Sequence, residues 1–351
     1  MDMPVYGASA DSAPDWSGQT AARYLDDREI WWQQWPRAQR DQGTICISCH
    51  TVVPYAMVRP WLTQKLGETG IAAPEKTMMD SMEKRVRHWS EMAPFYSDEK
   101  YGKGKAVESR ATEAVLNAVV LASYDSRQGN LRPITRTAFD EAWTLQQQTG
   151  ELAGGWKWQD FHLGPWEAAE SGYQGAALLM IQALNAPDGY ASEPEVRRHL
   201  DQERDYLRRG YAAQPVVNQL YILWMSVKEP GLLTRQERKA LLSTIRGLQQ
   251  PDGGWRTMAI DKRERVDHSP EPMESDGYAT GIAVLAMEES GTKLRDRSLQ
   301  RGRKWLAEHQ GKNGAWSARS INKQRDPNSD AGPFMNDAAT AYAVLALESG
   351  K

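Results

Sequence analysis

Cysteine is nearly absent: the 351 residues include two, Cys46 and Cys49. That excludes the dense disulfide framework that staples small secreted folds. Phenylalanine is scarce too, with 4 residues against 14 Trp and 13 Tyr. The aromatic surface therefore comes from amphipathic rings, which suit repeat turns or the lining of a cavity. No apolar run reaches the roughly 18 residues of a transmembrane helix. Alternating strand patterns are almost missing. Neither sign of charge dominates, since 43 basic and 46 acidic residues leave a net charge of −3. This gives no nucleic-acid or polyanion footprint. Residues 1–18 are polar and rich in Pro, Ser and Ala. They lack the basic start and apolar core of a signal peptide. We expect a flexible N-terminal segment there, followed by a single domain over 19–351.

The two cysteines stand together in Gly43-Thr44-Ile45-Cys46-Ile47-Ser48-Cys49-His50-Thr51. Cys-x-x-Cys-His is the attachment pattern of c-type haem. Its thiols sit one helical turn apart, each able to bond one vinyl group, and the adjacent imidazole reaches the iron. The expectation is one covalent haem c on Cys46 and Cys49 with His50 as metal ligand. A redox disulfide is a second reading, although it would want a βαβ context. Half of a zinc site is a third, but no second Cys/His cluster supplies the missing ligands. Covalent haem attachment in bacteria implies export, so the expected location is the periplasm, with the leader already removed.

The rest of the chain repeats a pair of helices. An amphipathic helix is followed by one that is apolar nearly all round, six times: 19–40 and 51–66, 75–92 and 108–124, 135–148 and 168–184, 193–209 and 215–227, 234–250 and 275–289, 294–310 and 336–348. Pro36 would kink or end the first helix, and residues 101–105, rich in Gly and Lys, read as a loop. Glu108-Ser109, Glu170-Ser171 and Glu274-Ser275 each open an apolar run, and Asn336-Asp337 takes that place in the last unit. The period is roughly 50 to 60 residues. A helix such as Thr280 to Met287, apolar on every side, must be covered all round. An inner ring of apolar helices inside an outer ring of amphipathic ones meets that need. The predicted fold is all-α, an (α/α)6 toroid, with the haem motif at the start of the first inner helix. An open solenoid is the alternative.

The turns between paired helices carry a further pattern. Arg301 to Gln310 followed by Gly314-Ala315-Trp316 resembles the Gln–Trp repeat of squalene–hopene cyclases and related terpene cyclases. Gly247, Gln249, Gly254 and Trp255 match it more loosely, as do Trp143, Gln146, Gly154 and Trp156. The resemblance implies the toroid of that superfamily. It does not imply cyclase activity, because the Asp-x-Asp-Asp acid is replaced by Glu274-Ser275-Asp276-Gly277-Tyr278 and Asn336-Asp337. Protein prenyltransferases share the toroid but hold zinc through Asp, Cys and His, and both cysteines here belong to the haem motif. The whole chain thus looks like the haem-bearing, squalene-cyclase-like toroid proteins of bacteria.

Function follows as three expectations. The first is a periplasmic haem protein doing peroxidase- or oxygenase-like redox chemistry on a small organic substrate in the ring. The second is an electron-transfer or haem-sensor cytochrome working with a redox partner protein. The third is a terpenoid-binding or cyclase-like protein. Met335, at the start of the last inner helix, is the first choice for the distal iron ligand; His88, Met57 and His162 are weaker ones. Glu167 and His162 are candidate proton carriers. Asp276 and Tyr173 complete the candidate catalytic set, with Trp158, Trp166, Glu170 and Tyr278 lining the same pocket. As helix starts, Asp276 and Asp337 also suit N-caps. Trp156, Trp255 and Trp316 are expected to be structural.

Overall fold

The computed structural model describes residues 16–97 and 100–349. Most of the expected N-terminal segment, 1–15, lies outside the described residues. The helices come in pairs: α1 (Gly18–Gln34) with α2 (Val52–Leu66), α3 (Ala73–Arg87) with α4 (Gly102–Gln128), and α5 (Pro133–Thr144) with α6 (Ser171–Asn185). Then follow α7 (Pro194–Gly210) with α8 (Val216–Met225), and α9 (Arg235–Leu248) with a single turn, α10 (Thr257–Ile260), and α11 (Gly277–Glu289). The last pair is α12 (Arg297–Glu308) with α13 (Phe334–Ser349). Two two-residue strands, β1 (Gln39–Arg40) and β2 (Thr44–Ile45), pair antiparallel in the first connection. No described helix is long and apolar enough to cross a membrane.

The second helices of the pairs close a ring. α2 packs on α4, α4 on α6, α6 on α8, α8 on α11, α11 on α13, and α13 returns to α2. Burial follows from this placement. In α11 every residue from Gly277 to Met287 is buried. The outer α12 buries only the stripe Ser298, Leu299, Gly302, Trp305 and Leu306, as a helix with one covered face should. Local signals start the helices. Thr234 and Glu237 form a capping box on α9, Asp296 caps α12, and α3, α5 and α7 begin with Pro in their first turn.

One boundary differs from expectation. α4 begins at Gly102, so the Gly/Lys stretch is helical rather than looped. Gly102, Lys103 and Gly104 are exposed, and a solvated turn leaves no apolar period to read.

Three turns between outer and inner helices share one geometry. The indole N–H groups of Trp156, Trp255 and Trp316 donate to the carbonyls of Ala142, Ile245 and Leu306, at 2.7, 2.7 and 2.8 Å. Each thereby adds a donor to a carbonyl in the last turn of an outer helix, where intrahelical partners run out. Gly154, Gly253 and Gly314 have φ of 90, 102 and 90°. A Cβ on them would lie 2.1 Å from the Gln202 carbonyl oxygen, 3.0 Å from that of Arg301 and 2.1 Å from that of Thr20. Each turn therefore sits directly on the next outer helix. Glutamines finish the clasp. Gln146 donates to the Gly154 and His199 carbonyls, Gln249 to those of Gly253 and Ser298, and Gln310 to those of Gly314 and Ser17. The sixth turn grips the start of α1, and the ring is shut there.

Candidate functional site

The connections into the inner helices gather over one mouth of the ring. The Gly164 N–H donates to Asn322 Oδ1 at 2.9 Å, and Asn322 Nδ2 donates to the Gly164 carbonyl at 2.7 Å. The Val266 N–H donates to the Asn322 carbonyl at 2.9 Å. Segments that are far apart in sequence are thus knitted together. Trp166 stands between them, its ring 5.9 Å from His50 and 5.5 Å from Tyr278. Below, inside the ring, the hydroxyls of Tyr221 and Tyr342 meet at 2.6 Å.

Cys46, Cys49 and His50 lie on this mouth, just before α2. The strand pair delivers them, and the Trp32 indole fixes the Cys46 carbonyl at 2.8 Å. Ser48 Oγ accepts from the Thr51 and Val52 N–H groups as the chain enters α2. Both thiols are free. Burial pushes their pKa values up, and for Cys49 the Glu167 carboxylate adds to the effect. Thr51 Oγ1 donates to Asp337 at 2.7 Å and lies 2.9 Å from His50 Nδ1. The threonine has one proton and gives it to the carboxylate, so His50 Nδ1 carries the hydrogen and Nε2 is the acceptor. Asp337 is held further by Tyr24 at 2.8 Å and by Arg28 at 2.8 and 3.1 Å. Burial, with Arg28 and Arg325 nearby, lowers His50 to about 3, so its ring is neutral at pH 7.

Glu167 is half-buried on the same mouth. Burial raises its carboxyl to about 7, against the opposing pull of Arg40, Lys105 and Arg325. The carboxyls of Glu170 and Asp261 are paired with Arg263. Asp276 accepts from the Ala279 N–H and from the N–H and hydroxyl of Thr257, while Asp337 is tied up as above. Of these five, Glu167 alone has no hydrogen bond or ion pair to its carboxyl among the described residues. Aromatic rings complete the surroundings: Trp166 next to it in the chain, and Tyr96 against Phe161 at 5.1 Å, with Arg40 5.0 Å from the Tyr96 ring.

The other expected residues are placed differently. His162 is exposed, with φ of 59° and its Nδ1 3.3 Å from Asp160. Asp276 serves as the N-cap of α11. Tyr173 points away from the mouth: its hydroxyl donates to the Leu207 carbonyl at 2.6 Å, and its ring packs on Tyr206 of α7. Met335 is buried in the core. The α13 residue against His50 is Phe334, stacked with its ring centroid 3.8 Å away. Arg40, Lys105, Arg325 and Tyr96 were not anticipated. They sit on separate segments with no shared spacing, and only the closed ring brings them together.

No known protein-family profile matches the chain. No curated protein matches it either. A solved structure matches the ring from end to end. It is described as a possible member of the GH105 family from Salmonella enterica serovar Paratyphi A, with TM-score 0.52 and 12% identity over 99% of this chain and 98% of that one. A glycosyl hydrolase family 88 protein from Bacteroides vulgatus aligns over 96% of this chain at 13% identity, with a TM-score of only 0.36. The first likeness establishes the fold, a helical toroid.

It also corrects the kinship implied by the sequence. The matching toroid is described as a glycosyl hydrolase relative, not as a haem-bearing, squalene-cyclase-like protein. The functional readings built on the haem motif and the Gln–Trp turns go with it: redox turnover of a substrate in the ring, electron transfer or haem sensing, and terpenoid binding. In the described residues no three His, Cys, Asp or Glu side chains converge to hold a metal ion.

Proposed function

We propose that this protein cleaves glycosidic bonds at the ring mouth, with Glu167 as the general acid. The observation that carries this reading is the uncommitted Glu167 carboxyl, set among aromatic rings and three cationic side chains. A group with a pKa of about 7 is protonated often enough at neutral pH to give its proton to the leaving sugar oxygen; water adds to the anomeric carbon as that C–O bond breaks, and its proton passes to the Glu167 carboxylate. Trp166 and Tyr96 supply flat apolar faces for the C–H side of a sugar ring. His50, neutral and with Nε2 as acceptor, can hold a hydroxyl or a water without repelling Arg28 and Arg325. The fold shared with a protein described as a possible GH105 member is consistent with this chemistry.

The test is release of reducing ends from a panel of neutral and uronate-containing oligosaccharides, by wild type and Glu167→Gln. Wild-type turnover is expected to fall as pH rises through about 7. The variant should lose roughly 100-fold or more in kcat, with an unchanged circular dichroism spectrum. Turnover that survives Glu167→Gln would overturn the assignment. So would a purified protein with a Soret band and both cysteines consumed in thioether bonds.

A further inference from the structure

The opposite end of the ring, where the inner helices finish, holds a second cavity that the proposed chemistry does not use. Its volume is about 450 Å³, and all six inner helices line it. They contribute Trp61 from α2, Arg127 from α4, Gln182 from α6, Trp224 from α8, Glu289 from α11 and Leu345 from α13. That is enough room for a small ligand.

Ser123, Ser126, Asn185, Lys228, Glu348 and Ser349 in this lining are hydrogen-bonded within the protein, but several other polar groups are not. Gln182 is 6% exposed, yet its amide makes no hydrogen bond among the described residues. A buried amide normally finds partners, and this one is left to water or to a ligand that displaces it. The Glu289 carboxyl and the indole N–H groups of Trp61 and Trp224 also make none among the described residues. The Arg127 guanidinium rests over the Trp61 ring, 5.7 Å from its centroid. Glu348 is paired with Lys65, which leaves Arg127 and Lys228 facing Glu289 in the lining. One unit of charge remains, too little to call for a strongly charged ligand.

The Trp224 indole offers a stacking face, while Trp61 carries Arg127 and Lys65 over its ring. An amide, a carboxylate and a guanidinium around them offer both donors and acceptors, which is what hydroxyl groups require. We propose that this cavity is a second, non-catalytic saccharide site, taking a neutral mono- or disaccharide. The inference rests on the far end of the ring alone and stands or falls apart from the role of Glu167.

The experiment is calorimetric titration of the full chain with glucose, galactose, maltose and cellobiose, with glycine betaine as a zwitterionic control. Tryptophan emission is followed in parallel. At least one sugar is expected to bind to Glu167→Gln as it does to wild type. Trp224→Ala should weaken that binding by about tenfold, the loss of one stacking face, and Gln182→Ala should weaken it too with less disturbance of packing. Three results would each overturn the proposal: no sugar binding at roughly millimolar affinity, binding indifferent to both substitutions in folded protein, or binding of glycine betaine in preference to every sugar.

Discussion

Gly314→Ala tests the seam of the ring. Two costs combine at this position. A φ of 90° strains any residue with a Cβ, by about 1 to 2 kcal/mol. The added Cβ would also fall 2.1 Å from the Thr20 carbonyl oxygen, a backbone atom that cannot rotate aside. The turn and α1 must then separate, and the pair of hydrogen bonds between Gln310 and Ser17 would be broken or stretched, at about 1 kcal/mol each. The sum is about 3 to 4 kcal/mol. Gly129→Ala is the control. Its φ is 69°, but nothing lies within 4 Å of the added Cβ, so the strain alone should appear, about 1 to 2 kcal/mol. Urea unfolding of both variants, compared at equal slope, measures the difference. Equal losses would refute the contact argument and leave only backbone strain.

Glu167→Gln should make the fold more stable at pH 8 by about 2 to 3 kcal/mol. Its carboxyl rises from 4.5 to about 7 on folding, so the folded state holds the proton more tightly. Stability is therefore lost as pH climbs through that window, and the gain in the variant should vanish below about pH 4.5; a gain independent of pH would refute this origin. Arg28→Met leaves the buried Asp337 carboxylate without its cation and should cost about 3 to 5 kcal/mol in urea unfolding, while Arg28→Lys should recover part of the loss. Cys49 is half-buried and Cys46 buried, so iodoacetamide followed by peptide mass spectrometry should find Cys49 modified first. With both thiols raised by burial, modification should be slow at pH 8 and quicken as pH rises.

The fold was largely legible because the sequence carries it twice. Period-3.6 patterning distinguishes inner from outer helices, and the Gln/Gly/Trp turns mark where they join. The structure gives each of those turn residues a shared bonding role, down to the same carbonyl partners. The site was legible only where a residue announces itself locally. Glu167 stands in a long connection that no helix pattern explains. Arg40, Lys105 and Arg325 come from three other segments, and only tertiary closure makes them neighbours of that carboxyl. Side-chain direction was the other gap. Tyr173 and Met335 occupy the expected positions in the chain, but rotation about the helix axis turns one to α7 and the other into the core, and gives Phe334 the contact with His50. Kinship was misread because Cys-x-x-Cys-His and the Gln–Trp turn are short patterns, whereas the toroid is a solution that unrelated sequences reach by alternating apolar and amphipathic helices.

The clasp of the sixth turn on Ser17 and Thr20 sets an order of events. On the ribosome α1 is made before its partner turn, Gln310 to Trp316, with Ser17 and Gln310 separated by 293 positions. Until then the first and sixth units have free flanks, and the growing chain is an open solenoid with apolar sides at both ends. Each unit can stack on its predecessor as it emerges, but the joint with α1 waits until the sixth turn is made. A shortened or stalled product would present those flanks to other copies of itself. The seam that completes the ring is thus also the point where misassembly would begin, and where a chaperone would have most to protect.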